Sequence, residues 1–566
     1  MKKYDLNFST AAFLAFLLIF FAAFLFYPVS FMLKGAFFAE GKFSLKYFLL
    51  LLESPLQRES ILNSFAIAFL TTALTTLLAF PLAHWMTRFH FSGKAWVGGL
   101  LLVPMIMPPF VGAIGLSQLL ARFGSLNLLL MDLGLLPPDK PIDWLGQGGF
   151  WGIVILQVMN LYPVMFLNVS AAMANIDPSL RESAQNLGAS GWRLFRTVTL
   201  PLVLPGYFAG AVIVFIWAFT DLGTPLIFGF SRVVPVQIFD AVNEINTNPL
   251  GYAMVVFVLA LTLGLFLISK RALAGRRYEM MARGHTAGAE TQAGPRQTLG
   301  IWTAMLLVIG LALLPHLTVI VDSFARHWFF SVLPRTWTTE NYGEIFGHSL
   351  TASSIRNSLI YSVLSALLDL LLGILIAWLL TRKRIPFAAL LDAVATLPLA
   401  LPGLVLAFGY VAGFDFAIPW LNPRNNPTLL LVISYSVRRL PYIVRSAYAG
   451  FQQTSVTLEE ASANLGATPL RTLRKITLPL VMANLIAGTI LTFSFAMLEV
   501  SDGLILAMRE KYFPITKMIW QIMGRIDPGA PGVACALGVV GMVILTASLL
   551  VAGKILGKKM GQLFRA

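Results

Sequence analysis

The sequence predicts an all-α polytopic membrane protein of about twelve transmembrane helices, arranged as two parallel six-helix repeats. The composition is too apolar for a soluble chain. There are twelve apolar runs of spanning length, and the first six runs resemble the second six. Hydrophobic residues make up 57% of the 566, charged residues only 12%, and 43 residues are Phe. Soluble domains carry about 25% charged residues to cover their surface, so lipid must form part of the solvent here. The single Cys535 excludes a disulfide framework and a Cys-based metal site.

Runs of about 20 apolar residues fall at 11–33, 61–85, 95–120, 150–173, 202–230 and 252–268, then at 301–321, 355–380, 388–413, 428–450, 480–508 and 533–556. The first follows Lys2 and Lys3 but is too long for a signal-peptide core, so it reads as a retained helix. The third and ninth are rich in Pro and are expected to be broken or kinked.

Twelve spans place both termini and alternate loops on one side. Lys and Arg number 23 on that side and 15 on the other, which makes it the cytoplasmic side by the positive-inside rule. The formal charge of +15 is thereby explained as orientation, and no nucleic-acid partner is needed.

The duplication is legible residue by residue. Ser60, Asn63 and Ser64 recur 294 residues later as Ser354, Asn357 and Ser358, as do Thr87-Arg88 (Thr381-Arg382), Pro104 (Pro398) and Pro108 (Pro402). Further on the offset falls to 278, mapping Pro163 onto Pro441 and 182–201 onto 460–479. The lost 16 residues are assigned to a longer external loop near Pro137–Pro141 in the first half. With equal orientation, the halves form a parallel repeat about an axis along the membrane normal. They are 1–269 and 300–566, joined by a polar, basic cytoplasmic linker at 270–299.

The longest match lies in two cytoplasmic loops, ESAQNLGASGWRLFRTVTLP at 182–201 and EASANLGATPLRTLRKITLP at 460–479. Each reads as a short helix, a Gly break, a second short basic helix and a Leu-Pro that opens the next span. Asp177-Pro178 is a helix start for the first copy, and Thr457 with Glu460 is the expected capping box of the second. A helix continuous with a span can transmit force from a soluble partner. A single such helix would more simply orient its loop at the interface, but two copies at matched positions favour transmission.

Both loops resemble the EAA motif of ATP-binding-cassette importer permeases: Glu-Ala-Ala, three residues, Gly, nine residues, Ile, any residue, Leu-Pro. Ser183 and Val198 depart from it in the first copy and Ser462 in the second, all small or isosteric changes. The resemblance covers both halves and points to a fused permease of the ferric-iron type, with thiamine, phosphonate and polyamine permeases as near relatives. It implies the type I importer fold, a bacterial cytoplasmic (inner) membrane location and import by alternating access. It also implies that the motif residues Glu182, Ala184, Gly188, Leu200, Pro201, Glu460, Ala461, Gly466, Leu478 and Pro479 form coupling helices docked on two copies of a cytoplasmic ATPase. A solute-binding protein would deliver substrate to the other face. The sequence has no Gly-x-x-x-x-Gly-Lys-Ser/Thr loop. ATP and Mg are therefore expected to be used by the partner ATPase, with no cofactor bound by this chain and no covalent chemistry performed by it.

Ionisable residues at membrane depth are costly and serve as functional candidates. Asp221 and Glu499 are related by the 278 offset, and Asp502 follows three residues on. Carboxylate oxygens suit hard cations, so this trio could line a transient cation path. Alternatively, the acids sit at the external mouth or cap a helix broken near Gly223 and Pro225. Arg438 and Arg439 have Asn160 and Leu161 as first-half counterparts, and are expected to pair with Asp369, Asp392 or an external acid, or else to contact an anionic ligand. Pro104, Pro108, Pro398 and Pro402 free backbone carbonyls for a gate or a packed kink. No His has metal-ligand spacing, and no stable metal site is expected. A secondary transporter of the major-facilitator type shares two parallel six-span repeats. It would carry a basic Asp-Arg-Gly-Arg-type motif between its second and third spans, which 84–94 (HWMTRFHFSGK) lacks.

Overall fold

The computed structural model describes residues 7–39, 41–274, 291–414 and 419–556. The first half contains α1 (Phe8–Phe37), α2 (Pro55–Arg88), α3 (Pro109–Leu120), α4 (Phe150–Ala174), α5 (Pro178–Asn186), α6 (Leu200–Phe219), α7 (Gly223–Phe228), α8 (Val234–Ala241) and α9 (Leu250–Ala274). Their counterparts, in the same order, are α10 (Pro295–Ser323), α11 (Ser349–Arg382), α12 (Gly403–Phe414), α13 (Thr428–Gln453), α14 (Val456–Asn464), α15 (Leu478–Met497), α16 (Ser501–Leu506), α17 (Ile515–Met523) and α18 (Ala530–Leu556).

The repeat holds at the level of helix ends. α2 and α11 start and stop 294 residues apart, while α5 to α7 and α14 to α16 keep the 278 offset. The change of offset falls between α3 and α4, where the first half inserts an extra short helix, Ser125–Asp132.

Among the described residues, ten helices are long and apolar enough to cross a membrane, or eleven if a bent pair counts as one span. That pair, Ala388–Ala400 and Gly403–Phe414, is the expected ninth span, bent by 103°. Leu401, before Pro402, is extended, as is Met107 before Pro108 in the first half. Proline disfavours the helical region for the residue preceding it. At the first break the Leu101 carbonyl accepts the Tyr162 hydroxyl at 2.9 Å, a bond supplied by the neighbouring α4. The expected tenth span is α13, a 26-residue helix that is long enough to span, but it carries Arg438, Arg439 and Arg445 and so is less apolar. It takes the place of α4, packing between α11 and α15 as α4 packs between α2 and α6.

The halves interlock. α1 packs on α12 of the other half, where Tyr27 donates to the Gly413 carbonyl at 3.0 Å and Tyr410 donates to the Phe24 carbonyl at 2.7 Å. Reciprocally, α10 packs on α3. A Cβ on Gly115 would lie 1.9 Å from the Pro315 carbonyl oxygen, so only glycine permits that approach. The expected linker at 270–299 is entered by helices from both ends, α9 to Ala274 and α10 from Pro295, and 275–290 lie outside the described residues. Thr291-Gln292 pairs in parallel with Phe89-His90, which ties the later part of the expected linker to the end of α2.

Candidate functional site

The two repeated loops fold alike. Asp177 caps α5 by accepting the Ser179 amide at 2.9 Å. The cap of α14 is Ser455, which accepts the Thr457 amide at 3.3 Å, and not Thr457 as the capping-box pattern suggested. Ser455 is the 278-offset equivalent of Asp177, and placing the cap there leaves Glu460 beyond capping reach. Both helices end on a left-handed glycine, Gly188 at φ +85° and Gly466 at φ +79°. The next amide reaches back to a carbonyl five residues earlier, Ala189 to Ala184 at 2.9 Å and Ala467 to Ser462 at 3.1 Å, which closes a Schellman turn.

The chain then passes through a wide π-turn, Phe195–Thr199 or Leu473–Thr477, and continues without a break into α6 or α15. Pro201 and Pro479 follow the wide turn, where the hydrogen-bond pattern already shifts and a missing N–H is least disruptive. Each loop is therefore one stiff unit with the helix it feeds. Glu182 and Glu460 are exposed, as is Ala461, while Ala184, Leu200, Pro201 and Leu478 are half-buried and Pro479 is exposed. At each turn stands a residue that sequence reasoning passed over: Leu187 is 88% exposed and Leu465 is 89% exposed. An apolar residue repeated at the 278 offset within a polar loop was the available signal.

The loops are anchored differently. In the second half, Arg382 at the end of α11 donates to Glu459 at 3.0 Å and to the Phe451 and Thr454 carbonyls at 3.1 and 2.9 Å, with its guanidinium over the Phe451 ring. Thr477 of the π-turn also donates to Glu459, at 3.2 Å. In the first half, Arg88 stands where Arg382 does and Arg181 stands where Glu459 does. Burial first, then the Arg88 charge, weakens the hold of Arg181 on its proton.

At membrane depth, the sequence-selected charges of the second half form one cluster. Arg438 and Arg439 converge on the same Glu499 oxygen, Arg438 at 2.6 Å. Arg438 also lies 3.5 Å from Asp502 Oδ2, which accepts the Ser434 hydroxyl at 2.9 Å. The expected pairing with Asp369 or Asp392 is not what forms. Asp369 accepts Ser436 at 2.6 Å, and Asp392 pairs with Arg445 at 3.1 Å. The break between α15 and α16 brings Glu499 under α13, so the arginines reach it before either alternative. Asp502 Oδ1, Asp369 Oδ2 and two nitrogens of Arg439 are buried without a hydrogen-bond partner.

The first-half equivalent is neutral apart from Asp221. Its carboxylate accepts the Gly223 amide at 3.1 Å and Gln157 Nε2 at 3.1 Å, while Thr71 bonds the Gln157 oxygen at 3.2 Å. Glu499 likewise accepts the Asp502 amide at 3.2 Å, so both equivalent acids cap the short helix after the break. The two breaks meet across the halves: a Cβ on Gly223 would stand 3.0 Å from Val500 Cγ1. Among the described residues no three His, Cys, Asp or Glu side chains are grouped to hold a metal ion, and Asp221 does not join Glu499 and Asp502 in such a set.

Two interlocked helical halves, each with a stiff exposed loop feeding a long apolar helix, define a multi-pass membrane protein. The family described as "Binding-protein-dependent transport system inner membrane component" matches residues 75–277 and 369–562, and the chain belongs to it. The two matches begin 294 residues apart, in the register of the repeat. The chain is similar to the ferric transport system permease protein FbpB of Actinobacillus pleuropneumoniae, at 27% identity over 503 residues, covering 87% of this chain and 70% of that protein. It is also similar to the putative ferric transport system permease protein FbpB 1 of Haemophilus influenzae, at 28% identity, covering 86% of this chain and 76% of the relative. The molybdenum transport system permease protein ModB of H. influenzae is 28% identical over 218 residues, covering 37% of this chain and 90% of the relative. Among solved structures, a bacterial ABC transporter involved in alginate import aligns at 20% identity with a TM-score of 0.38, covering 47% of this chain and 95% of that chain. The chain is thus a transport permease and not an enzyme, and ATP hydrolysis belongs to a separate subunit.

Proposed function

We propose that this chain is the transmembrane permease subunit of an ATP-driven, binding-protein-dependent importer and that its cargo is ferric iron. One observation carries the choice of cargo. The ferric permease relatives match across both halves, 87% and 86% of the chain, whereas the molybdenum and sulfate permeases match 37% and 45% of it.

In this reading the halves 1–269 and 300–566 are joined by the cytoplasmic linker 270–299, and both termini are cytoplasmic in the bacterial inner membrane. Two copies of an ATPase dock on α5 and α14, gripping Glu182 and Glu460 and the exposed Leu187 and Leu465. A solute-binding protein docks on the opposite face. ATP and Mg are consumed by the ATPase. Closure of the ATPase pair moves both loops together, and because each loop is stiff with α6 or α15, the halves rock about their shared axis. The prolines at 104, 108, 398 and 402 mark the bends that change in that motion. Asp221, Glu499 and Asp502 form the cation path, with Arg438 and Arg439 neutralising its second-half side until the axis opens.

The test is uptake in proteoliposomes holding the chain with its ATPase and binding protein, screening ferric iron, thiamine, phosphonate, polyamine, molybdate and sulfate. Binding-protein-dependent accumulation of ferric iron alone is the expected result. Accumulation of another solute without iron overturns the cargo assignment.

A further inference from the structure

One side chain in the second-half charge cluster is held less firmly than its neighbours. Arg439 is fixed by the Phe495 carbonyl at 2.9 Å and lies over the Tyr435 ring, in addition to its pair with Glu499. Arg438 has carboxylates alone, Glu499 at 2.6 Å and Asp502 at 3.5 Å, and 22% of its side chain is exposed against 8% for Arg439. Both guanidiniums lean on the same Glu499 oxygen, so Arg438 can leave without stripping that buried carboxylate of its partner. Asp502 is fully buried, and its Oδ1 has no hydrogen-bond donor among the described residues. Two carboxylates, one with an oxygen to spare, are the donors a hard cation prefers.

The same guanidinium touches the bend of the ninth span. A Cβ on Gly403, the first residue of α12, would lie 2.0 Å from Arg438 Nη1 and 2.6 Å from Asp502 Oδ1. Gly403 is helical, so glycine serves here to make room for a side chain and not to permit an unusual backbone. The first half has the opposite combination: Pro109 stands at the position of Gly403, with Asn160 for Arg438 and Thr224 for Asp502. A proline ring leaves no such space, and the shorter asparagine needs none. α12 packs along α16, and its Tyr410 and Gly413 bond α1 of the other half at 2.7 and 3.0 Å. The space beside Gly403 therefore bears on a helix that ties the two halves together.

We propose that Arg438 is a placeholder for the cargo: a hard cation reaching Glu499 and Asp502 displaces its guanidinium, which swings to its exposed side, and the vacated space beside Gly403 frees the bend of α12. The proposal rests on the cation-path reading above. Both carboxylates keep a cation throughout the exchange, so neither is left buried and unpaired. The second half is then the one that registers cargo, because the first has neither the guanidinium nor the space.

The test uses the full chain in phosphatidylcholine nanodiscs with terbium(III), a hard, redox-inert stand-in for ferric iron, read by its sensitised luminescence and by hydrogen exchange of 401–406. In the wild type, terbium should quicken that exchange about tenfold. R438Q leaves no guanidinium to displace and should bind terbium about tenfold more tightly, with exchange at 401–406 already fast and unmoved by the ion. G403A wedges the guanidinium aside without removing a charge and should reproduce both effects. In R438Q/G403A the second change should add nothing. Adding E499Q and D502N to R438Q should abolish the tightened binding, and binding that survives them overturns the proposal. Equal terbium affinity in the wild type, R438Q and G403A also overturns it, as does exchange at 401–406 that terbium leaves unaltered in the wild type. None of these readouts needs an ATPase or a binding protein, so failure of ATP-driven uptake overturns the importer reading and leaves the placeholder to be decided by terbium.

Discussion

At the break after α6, Asp221 is held by two backbone amides and the Gln157 amide, with no cation in contact among the described residues. At the equivalent break after α15, Glu499 is shared by two guanidiniums, and Asp502 and Ser434 extend the network. The backbone of the repeat is the same in both halves while the side chains at its centre differ: the first half holds one carboxylate with neutral donors, and the second gathers two carboxylates and two guanidiniums. Each buried charge carries a desolvation penalty. The second half therefore buries more charge at this depth, and the same half holds its repeated loop internally, through Arg382 and Glu459.

The largest expected effect comes from breaking the second-half cluster. R439L leaves Glu499 with one guanidinium and should destabilise the protein by about 3–5 kcal/mol, read as a lower melting temperature in detergent. Grafting the first-half residues together (Y435Q, R438N, R439L, E499D and D502T) should restore most of that stability while abolishing transport. If the graft transports normally, the charge asymmetry has no part in function. Next, R382A removes the Glu459 pair and two carbonyl bonds of a buried guanidinium and should cost about 2–3 kcal/mol locally. Hydrogen exchange of 455–464 should then quicken, whereas R88A should alter exchange of 177–186 little.

The glycines sharpen the comparison from the other side, because there the halves agree. G188A and G466A each force a left-handed alanine and should each cost about 1–2 kcal/mol of loop stability, with equal effects on exchange in the two loops. The smallest difference is at the caps. S455A should loosen α14 by about 1 kcal/mol and T457A by a few tenths, a contrast readable by the same exchange experiment.

Much of this was legible in the sequence. The apolar runs located the ten helices long and apolar enough to span and the bent ninth pair, with ends several residues off at α2 (61–85 expected, 55–88 found) and α6 (202–230 expected, 200–219 found). α13, with its three arginines, is a helix where a span was expected but is not among those ten. The interlocking of α1 with α12 was not legible, because apolar helices facing lipid or protein have the same composition. Nor were the partners of Arg438 and Arg439. Sequence spacing says which residues share a face of one helix, but Glu499 reaches α13 only through the break between α15 and α16. The cap of α14 was misplaced because Ser455 and Thr457 are both good capping residues, and only the offset to Asp177 distinguishes them.

The central claim is that force enters through both repeated loops and is supplied by ATP. It is tested most directly by measuring ATP hydrolysis and uptake together in proteoliposomes, for the wild type and for the double variant E182K/E460K. The wild type should transport only with ATP present and with ion gradients collapsed, and the variant, inserted normally, should hydrolyse ATP without transport. Gradient-driven uptake by this chain alone, or full ATP-coupled uptake by the double variant, would contradict the account.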